Sequence, residues 1–289
     1  MALFGKKYDE SPEAMAHRLS LTDGLTFEVI PLKSLTAAVE ALPAGAEVSV
    51  TCSPAKGIEE TQRITAELQE QGFTAIPHFS ARMVRDAAHA AELAAWCRDL
   101  GLQKVFMVGG DAEEPGDYPG AVEFLADFLE TDHGLDTIGV TAYPDGHVFL
   151  SDEKLRWALH EKQRMLSEAG VNGYCSTQMC FDPDTIAKWL RTEREQGLTL
   201  PVHLGISGVV DKSKLLTMGA RLGIGDSLKY LRKNVGAVVK MMTTVNYDPN
   251  DLLLPLSADL VDLGVEGMHV FTFNQVAATN EWREAVLAG

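Results

Sequence analysis

The sequence predicts an α/β protein with one domain, a (β/α)8 TIM barrel. Short and nearly continuous apolar runs recur along the 289 residues, as expected of parallel strands that are buried on both faces. Segments with helical periodicity separate these runs. The runs number eight, which is the strand count of such a barrel. A doubly wound open sheet is the main alternative.

The predicted strands are rich in β-favouring apolar residues. They cover residues 25–31, 47–52, 73–79, 104–109, 136–142, 171–176, 200–206 and 267–273. The predicted helices cover residues 58–72, 82–101, 120–130, 151–169, 182–197, 211–222, 226–240 and 250–264. Ser151 is expected to cap the fourth of these helices, and Gly72 to follow the end of the first. Residues 1–22 are interpreted as an N-terminal extension with a short helix, and residues 23–289 as the barrel.

Charge and composition exclude several classes of partner. The net charge is −16, whereas nucleic-acid binders concentrate lysine and arginine, so we expect no nucleic-acid partner. No apolar run is long enough to span a membrane and no signal peptide is visible, so a cytoplasmic protein without a membrane partner is expected. The four cysteines lie in apolar segments without a CxxC pair, which indicates reduced thiols. A zinc site using Cys175, Cys180 and a histidine is the alternative, although its spacing is not a recognised one.

The first predicted strand, LTFEVIP, contains a carboxylate that needs an explanation. Glu28 stands between apolar neighbours, and glutamate is rarely buried without a partner. In a strand, Phe27 and Val29 point away from Glu28, so the carboxyl is expected to face the barrel interior. Buried there, it needs either an ion-pair partner or conditions that keep it protonated.

Other polar residues follow the predicted strands at their carboxyl ends, where barrel enzymes place their active sites. They are Thr51, His78, Asp111, Tyr143, His147, Thr177, Gln178 and Asn274. Each has an ordinary structural explanation, such as a strand position, a turn, a helix cap or a backbone hydrogen bond. Their convergence with Glu28 on one mouth favours an active site more than any one of them does alone.

The ordered set of motifs resembles the methylenetetrahydrofolate reductases. The segments are FEVIP, VSVT, IPHFSA, GGD, TAYPDGH and AGVNGYCSTQMCFD, which span about residues 25 to 275. The resemblance implies reduction of 5,10-methylenetetrahydrofolate to 5-methyltetrahydrofolate on a (β/α)8 barrel. It implies that Glu28 is the general acid that protonates N10 and opens the ring to a 5-iminium cation. An apolar interior would keep this acid protonated by penalising its charged form.

The resemblance also implies roles for the other polar residues. Asp111 and Gln178 match positions that bind the pterin of a tetrahydrofolate substrate. Thr51, His78, Tyr143 and His147 match positions that line the flavin site. No metal is implied. A non-catalytic folate-binding barrel, or a barrel acting on another one-carbon pterin, is the alternative function.

Two departures from the family bear on the cofactor. Gly109 and Leu166 stand where the family commonly carries an arginine and a lysine, and Lys162 is the nearest lysine to the second position. The loss of two charge-assisted contacts weakens FAD binding. We therefore expect the chain either to bind FAD weakly or to dispense with it. In the second case, NADH or NADPH passes hydride to the iminium directly. No GxGxxG follows a strand, and the glycine-rich segment 218–231 is a weaker phosphate-site candidate.

Overall fold

The computed structural model describes residues 10–221 and 246–289. Its strands are β1 (Leu25–Val29), β2 (Glu47–Val50), β3 (Thr74–Ser80), β4 (Lys104–Val108), β5 (Thr137–Ala142), β6 (Asn172–Thr177), β7 (Val202–Ser207) and β8 (Val265–Phe271). Its helices are α1 (Pro12–Asp23), α2 (Leu35–Glu40), α3 (Ile58–Glu70), α4 (Ala87–Leu100), α5 (Ala121–Leu129), α6 (Asp152–Ala169), α7 (Pro183–Glu195), α8 (Lys212–Arg221), α9 (Asn250–Asp262) and α10 (Val276–Ala288). A 3₁₀ turn covers Ala81–Met83.

The strands form a closed parallel barrel in sequence order, and β8 pairs with β1. The (β/α)8 prediction is therefore confirmed, and the open-sheet alternative is wrong. Each predicted strand overlaps an observed one, with ends that differ by up to two residues. The predicted helix 226–240, and the glycine-rich segment 218–231 beyond Arg221, lie outside the described residues. In the described part of the chain, no helix combines the length and apolar character needed to cross a bilayer.

Local signals fix most helix ends where the sequence predicts them. The Ser151 side chain accepts a hydrogen bond from the backbone N–H of Lys154 and caps α6. Gly72 follows the end of α3 with a φ of 85°, a conformation that glycine adopts without strain. The predicted helix 82–101 instead begins at Ala87. The Asp86 carboxylate caps this helix by accepting from the N–H of His89, and the 3₁₀ turn precedes it.

The predicted N-terminal helix is α1, and it packs against α9, α10 and the start of β8. His17 Nε2 lies 2.9 Å from the carbonyl oxygen of Val265 at the first residue of β8. The buried Arg18 pairs with Glu10 through two hydrogen bonds of 2.8 Å. These contacts attach α1 to the barrel wall. The division between residues 22 and 23 stays a prediction.

Alternation along the strands separates two cores. Phe27 and Val29 pack in the main apolar core between the strands and the helices, while Glu28 faces the barrel interior. Inside the barrel, Phe106 and Tyr174 stack with ring centroids 6.1 Å apart. A Cβ on Gly139 would lie 2.3 Å from Tyr174 and 2.5 Å from Phe106, so only glycine leaves room for this pair.

We expect Gly139→Ala to destabilise the fold by about 1–3 kcal/mol, because the added methyl overpacks the barrel interior. Gly109→Ala is the matched control, since its Cβ would have no heavy atom within 4 Å and its φ is not left-handed. The control should change stability by no more than about 0.5 kcal/mol. Urea unfolding of both variants measures the difference, and equal stabilities would contradict this account of Gly139.

Candidate active site

Glu28 lies one residue before the end of β1 and is buried at the barrel mouth. Its carboxylate Oε2 is 3.1 Å from Nε2 of His269 on β8, and both side chains are at most 8% exposed. In the strand register Glu28 pairs with Phe271 while His269 pairs with Thr26, so the histidine sits one pleat deeper on the adjacent strand. The carboxyl therefore has a partner, one that lies 241 residues away in the chain.

The layer beneath the mouth contains both polar and aromatic side chains. His78 Nε2 is 2.5 Å from the Ser49 hydroxyl, and its ring centroid is 6.0 Å from that of His269. Burial, together with the repulsion that two protonated imidazoles would exert on each other, holds the pKa of His78 well below its ordinary value of 6.5. Burial lowers the pKa of His203 to about 4. Both imidazoles are thus neutral at pH 7, and the interior around Glu28 combines polar groups with aromatic rings where a wholly apolar one was expected.

His78 was expected beside the cofactor, and it lies deeper than the other residues in that group. It precedes the end of β3 by two residues, whereas Thr51 follows the end of β2. His78 therefore joins the layer of Glu28 and His269. These three residues bring one potential ligand atom each within 4.8 Å of one another, a grouping that could hold a metal ion. The hydrogen bonds between His269 and Glu28 and between Ser49 and His78 explain this grouping without an ion, so we assign none.

Two hydroxyls at the mouth are ready to receive a polar ligand. Thr51 Oγ1 and Ser80 Oγ are buried and have no hydrogen-bond partner among the described residues. Buried polar atoms are normally paired, so unpaired ones at a strand end indicate a ligand site. Gly110 adopts a φ of 85°, and a Cβ there would lie 1.8 Å from Ser80 Oγ. The exposed Asp111 follows directly on the loop after β4.

Tyr143 and His147 extend the site along the β5–α6 loop. Their rings meet edge to face at 5.3 Å, and the His147 ring lies 5.8 Å from that of Phe149. Burial raises the pKa of Tyr143 and lowers that of His147, so both side chains are held neutral. A cavity of about 200 Å³ opens beside Tyr143 and is also lined by Trp189 and Arg156.

Three of the expected polar residues make backbone contacts. Thr177 Oγ1 accepts from the N–H of Gly205 at 2.8 Å and joins β6 to β7. Gln178 Oε1 accepts from the N–H of Met179 at 2.8 Å, and its side chain is half-buried at the mouth. Asn274 was predicted to follow a strand ending at residue 273, but β8 ends at Phe271 and Asn274 lies in a left-handed turn with a φ of 62°.

Asn274 joins the two strands that carry Glu28 and His269. Its Oδ1 accepts from the N–H of Ile30, and its Nδ2 donates to the carbonyl oxygen of Ile30, both at 2.9 Å. Thr272 Oγ1 donates to the backbone carbonyl of Glu28 at 2.5 Å. These bonds lengthen the β1–β8 pairing beyond the last strand residues. Asn274 therefore holds the ends of β1 and β8 together beside the site. This structural role could not be predicted from its sequence position alone.

The positions that lack the expected cations differ in their surroundings. Gly109 has open space around its Cα, and Leu166 is buried in the main core. Lys162, one turn before Leu166 on α6, is buried, and its Nζ donates to the Thr141 carbonyl at 3.2 Å near the end of β5. Burial lowers the pKa of Lys162 to about 8. No cation thus stands at either position for a flavin diphosphate, so we derive no step through flavin.

Apolar residues form the opposite side of the mouth. They pack together from the loops after β6, β7 and β8, and the cluster comprises Met179, Phe181, Val210, Leu215, Tyr247 and Phe273. Apolar side chains with a few polar groups beside them are the usual composition of a small-molecule site. The cysteines take no part in it. In residues 10–221 and 246–289, no disulfide links Cys52, Cys97, Cys175 or Cys180, and the suggested zinc ligands Cys175 and Cys180 belong to no ligand grouping.

Residues 30–286 match the family model described as methylenetetrahydrofolate reductase. Among solved structures, an uncharacterised protein from Clostridium thermocellum that binds two copies of 5-methyl-5,6,7,8-tetrahydrofolic acid has a TM-score of 0.59 and 12% identity, and the match covers 92% of this chain and 96% of that one. A phosphonomutase candidate from Burkholderia cenocepacia has a TM-score of 0.46 and 13% identity, with 96% and 98% covered. The first likeness supports the barrel fold, and the second is too low to support an inference.

We expect Lys162→Met to stabilise the protein at pH 7. The pKa of Lys162 is about 8 in the folded protein and about 10.5 in the unfolded chain. Below pH 8 the buried lysine is charged, and burying that charge lowers the free energy of unfolding. This penalty becomes smaller as the pH rises from 8 to 10.5, because the unfolded chain then also loses its proton. The gain at pH 7 is up to about 3 kcal/mol, less what the hydrogen bonds to Thr141 contribute. Urea unfolding at pH 7 and pH 10 measures it. The exposed Lys188→Met is the control, and a gain for Lys162→Met that does not shrink with rising pH would contradict the assignment.

Proposed function

The chain belongs to the methylenetetrahydrofolate reductase family, and from this premise we propose that it reduces 5,10-methylenetetrahydrofolate to 5-methyltetrahydrofolate with NADH or NADPH. The observation that carries the proposal is the buried carboxyl of Glu28 at the barrel mouth. A general acid must reach the atom that it protonates, and the carboxyl end of a barrel strand offers that access. The Clostridium thermocellum protein of the same fold binds the reaction product proposed here.

In the proposed mechanism Glu28 donates its proton to N10 of the bound folate. The bond between N10 and the methylene carbon then breaks, its electron pair stays on N10, and a 5-iminium cation forms. NADH or NADPH supplies the hydride that adds to the methylene carbon when it is bound. Since the carboxyl is held between β1 and β8, it is oriented before the substrate arrives, which lowers the cost of reaching the transition state.

The remaining residues divide between the two ligands in this proposal. Asp111 and Gln178, on the loops after β4 and β6, contact the pterin. Thr51, Tyr143 and His147 line the place of the hydride donor, with His78 below them. The unpaired Thr51 hydroxyl supports the assignment because it offers a hydrogen bond that the protein itself leaves unused. We also propose a cytoplasmic location, where the four thiols, which form no disulfide in the described structure, would stay reduced.

We expect Glu28→Gln to lower kcat by at least about 100-fold while folate binding survives, because glutamine keeps the shape and cannot donate an acidic proton. Glu47→Gln is the matched control: Glu47 also faces the barrel interior, but it pairs with Lys104 and Thr26 at the other end of the strands. Oxidation of NADH or NADPH that depends on methylenetetrahydrofolate measures turnover. Wild-type turnover by Glu28→Gln would remove Glu28 from this role, and a wild-type protein inactive with both donors would favour the non-catalytic folate-binding barrel.

We expect the purified protein to show no stoichiometric flavin absorbance, and added FAD to leave the rate unchanged. The reason is the absence of cations at Gly109 and Leu166, where charge-assisted contacts to a flavin would form. The visible spectrum before and after denaturation measures bound flavin. A flavin band at one equivalent per chain, reduced by NADH and reoxidised by methylenetetrahydrofolate, would overturn the direct transfer of hydride.

A further inference from the structure

The partner of Glu28 is a buried histidine for which the resemblance supplies no role. His269 Nε2 approaches one carboxylate oxygen, Oε2, at 3.1 Å, and its side chain is 3% exposed. The ring is packed between Phe271, at 5.1 Å, and Phe106, at 5.9 Å, so its orientation is fixed by aromatic neighbours on both sides. The contact is therefore part of the packed barrel and not a transient surface pair.

The other titratable groups that face this pair are neutral or paired at pH 7. On β3 and β7, burial lowers the pKa values of His78 and His203, so both imidazoles are uncharged. On β6, burial keeps the Tyr174 phenol protonated by raising its pKa. At the opposite end of the barrel, Glu47 on β2 and Lys104 on β4 neutralise each other in an ion pair. Among these groups, His269 is thus the one placed to stabilise a charged Glu28 by a hydrogen bond.

With both groups uncharged, two arrangements of protons fit the 3.1 Å contact. In one, the acidic proton sits on Oε2 and is donated to an unprotonated Nε2, which leaves no proton for the substrate. In the other, Nε2–H donates to Oε2, and the acidic proton must then sit on Oε1. Only the second arrangement lets the carboxyl protonate a ligand at the mouth.

We propose that His269 is the positioning residue of the acid: its Nε2–H holds Oε2 of Glu28 and directs the transferable proton to Oε1. The proposal rests on the proposed function, in which the proton goes to N10. During that step the Oε1–H bond breaks, the N10–H bond forms, and the carboxylate keeps the electron pair. The hydrogen bond from His269 then becomes charge-assisted and stronger, so it stabilises the transition state more than the ground state.

The test compares His269→Leu with His203→Leu. His203 is an equally internal histidine that stacks on Tyr174 at 4.1 Å and makes no hydrogen bond to Glu28 in the described structure. We expect His269→Leu to lower kcat about 10–100-fold with the KM values for folate and NAD(P)H nearly unchanged. Its loss of activity at alkaline pH should also move to higher pH, since the carboxylate has lost its donor. His203→Leu should keep the wild-type pH profile.

His269→Gln is the rescue variant, because its side-chain amide restores an N–H donor, and it should recover most of the lost turnover. Equal losses in His269→Leu and His203→Leu, or an unshifted pH profile, would overturn the proposal. Thermal unfolding of every variant identifies those that do not fold. If a His269 variant does not fold, the tautomer of His269 in the wild-type protein, measured by nitrogen-15 NMR, tests the proposal instead.

Nitrogen-15 NMR of the histidine rings tests the same assignment without turnover. His269, identified by difference against His269→Gln, should carry its proton on Nε2. A proton on Nδ1 alone would overturn the positioning role even in an active enzyme. If the wild-type protein shows no methylenetetrahydrofolate-dependent oxidation, the proposed function fails, while this measurement still decides how His269 meets Glu28.

Discussion

The pairing of Glu28 with His269 is the contact on which the rest of the site depends. A carboxyl taken out of water needs a hydrogen-bond partner or it is strongly destabilising. Here the partner is a neighbour on the adjacent strand, and neutral imidazoles on β3 and β7 complete the surroundings without adding charge. Glu28 thus meets no second charged group from β3 or β7, because the imidazoles on those strands are neutral at pH 7.

The contact between Glu28 and His269 requires a fixed register between β1 and β8, the two strands that close the barrel. Beyond the last paired residues, Thr272 and Asn274 continue the contact between β8 and β1 with side-chain hydrogen bonds. Phe273 and Asn274 take left-handed backbone conformations to do so, which costs energy for residues other than glycine. Strained backbone beside Glu28 is consistent with a seam that holds this carboxyl in one orientation, because a one-residue slip would turn Glu28 away from the barrel interior.

The sequence predicts the repeating part of this architecture and misses the contacts across the closure. Strand positions follow from apolar runs, and Ser151 and Gly72 mark helix ends by local chemistry. His269 was not identified from the sequence. Like Glu28 in LTFEVIP, it is a polar residue inside an apolar strand segment, GMHVFTF, and this feature could have identified it. Its pairing with Glu28 could not be predicted, since it depends on a register between strands 241 residues apart. The burial of Lys162 likewise depends on how α6 packs.

In the proposed function the acid and the hydride donor occupy different parts of the barrel, so one half of the site could change while the other stays. Glu28, His269 and Asn274 belong to the β8–β1 seam. Gly109 follows β4, and Leu166 lies on α6 behind β5 and β6, so neither touches that seam. Loss of cations there alters what can bind opposite the folate without disturbing the proton donor. A barrel with closed strand order separates the two chemistries by geometry, and a change of hydride donor requires no change of acid.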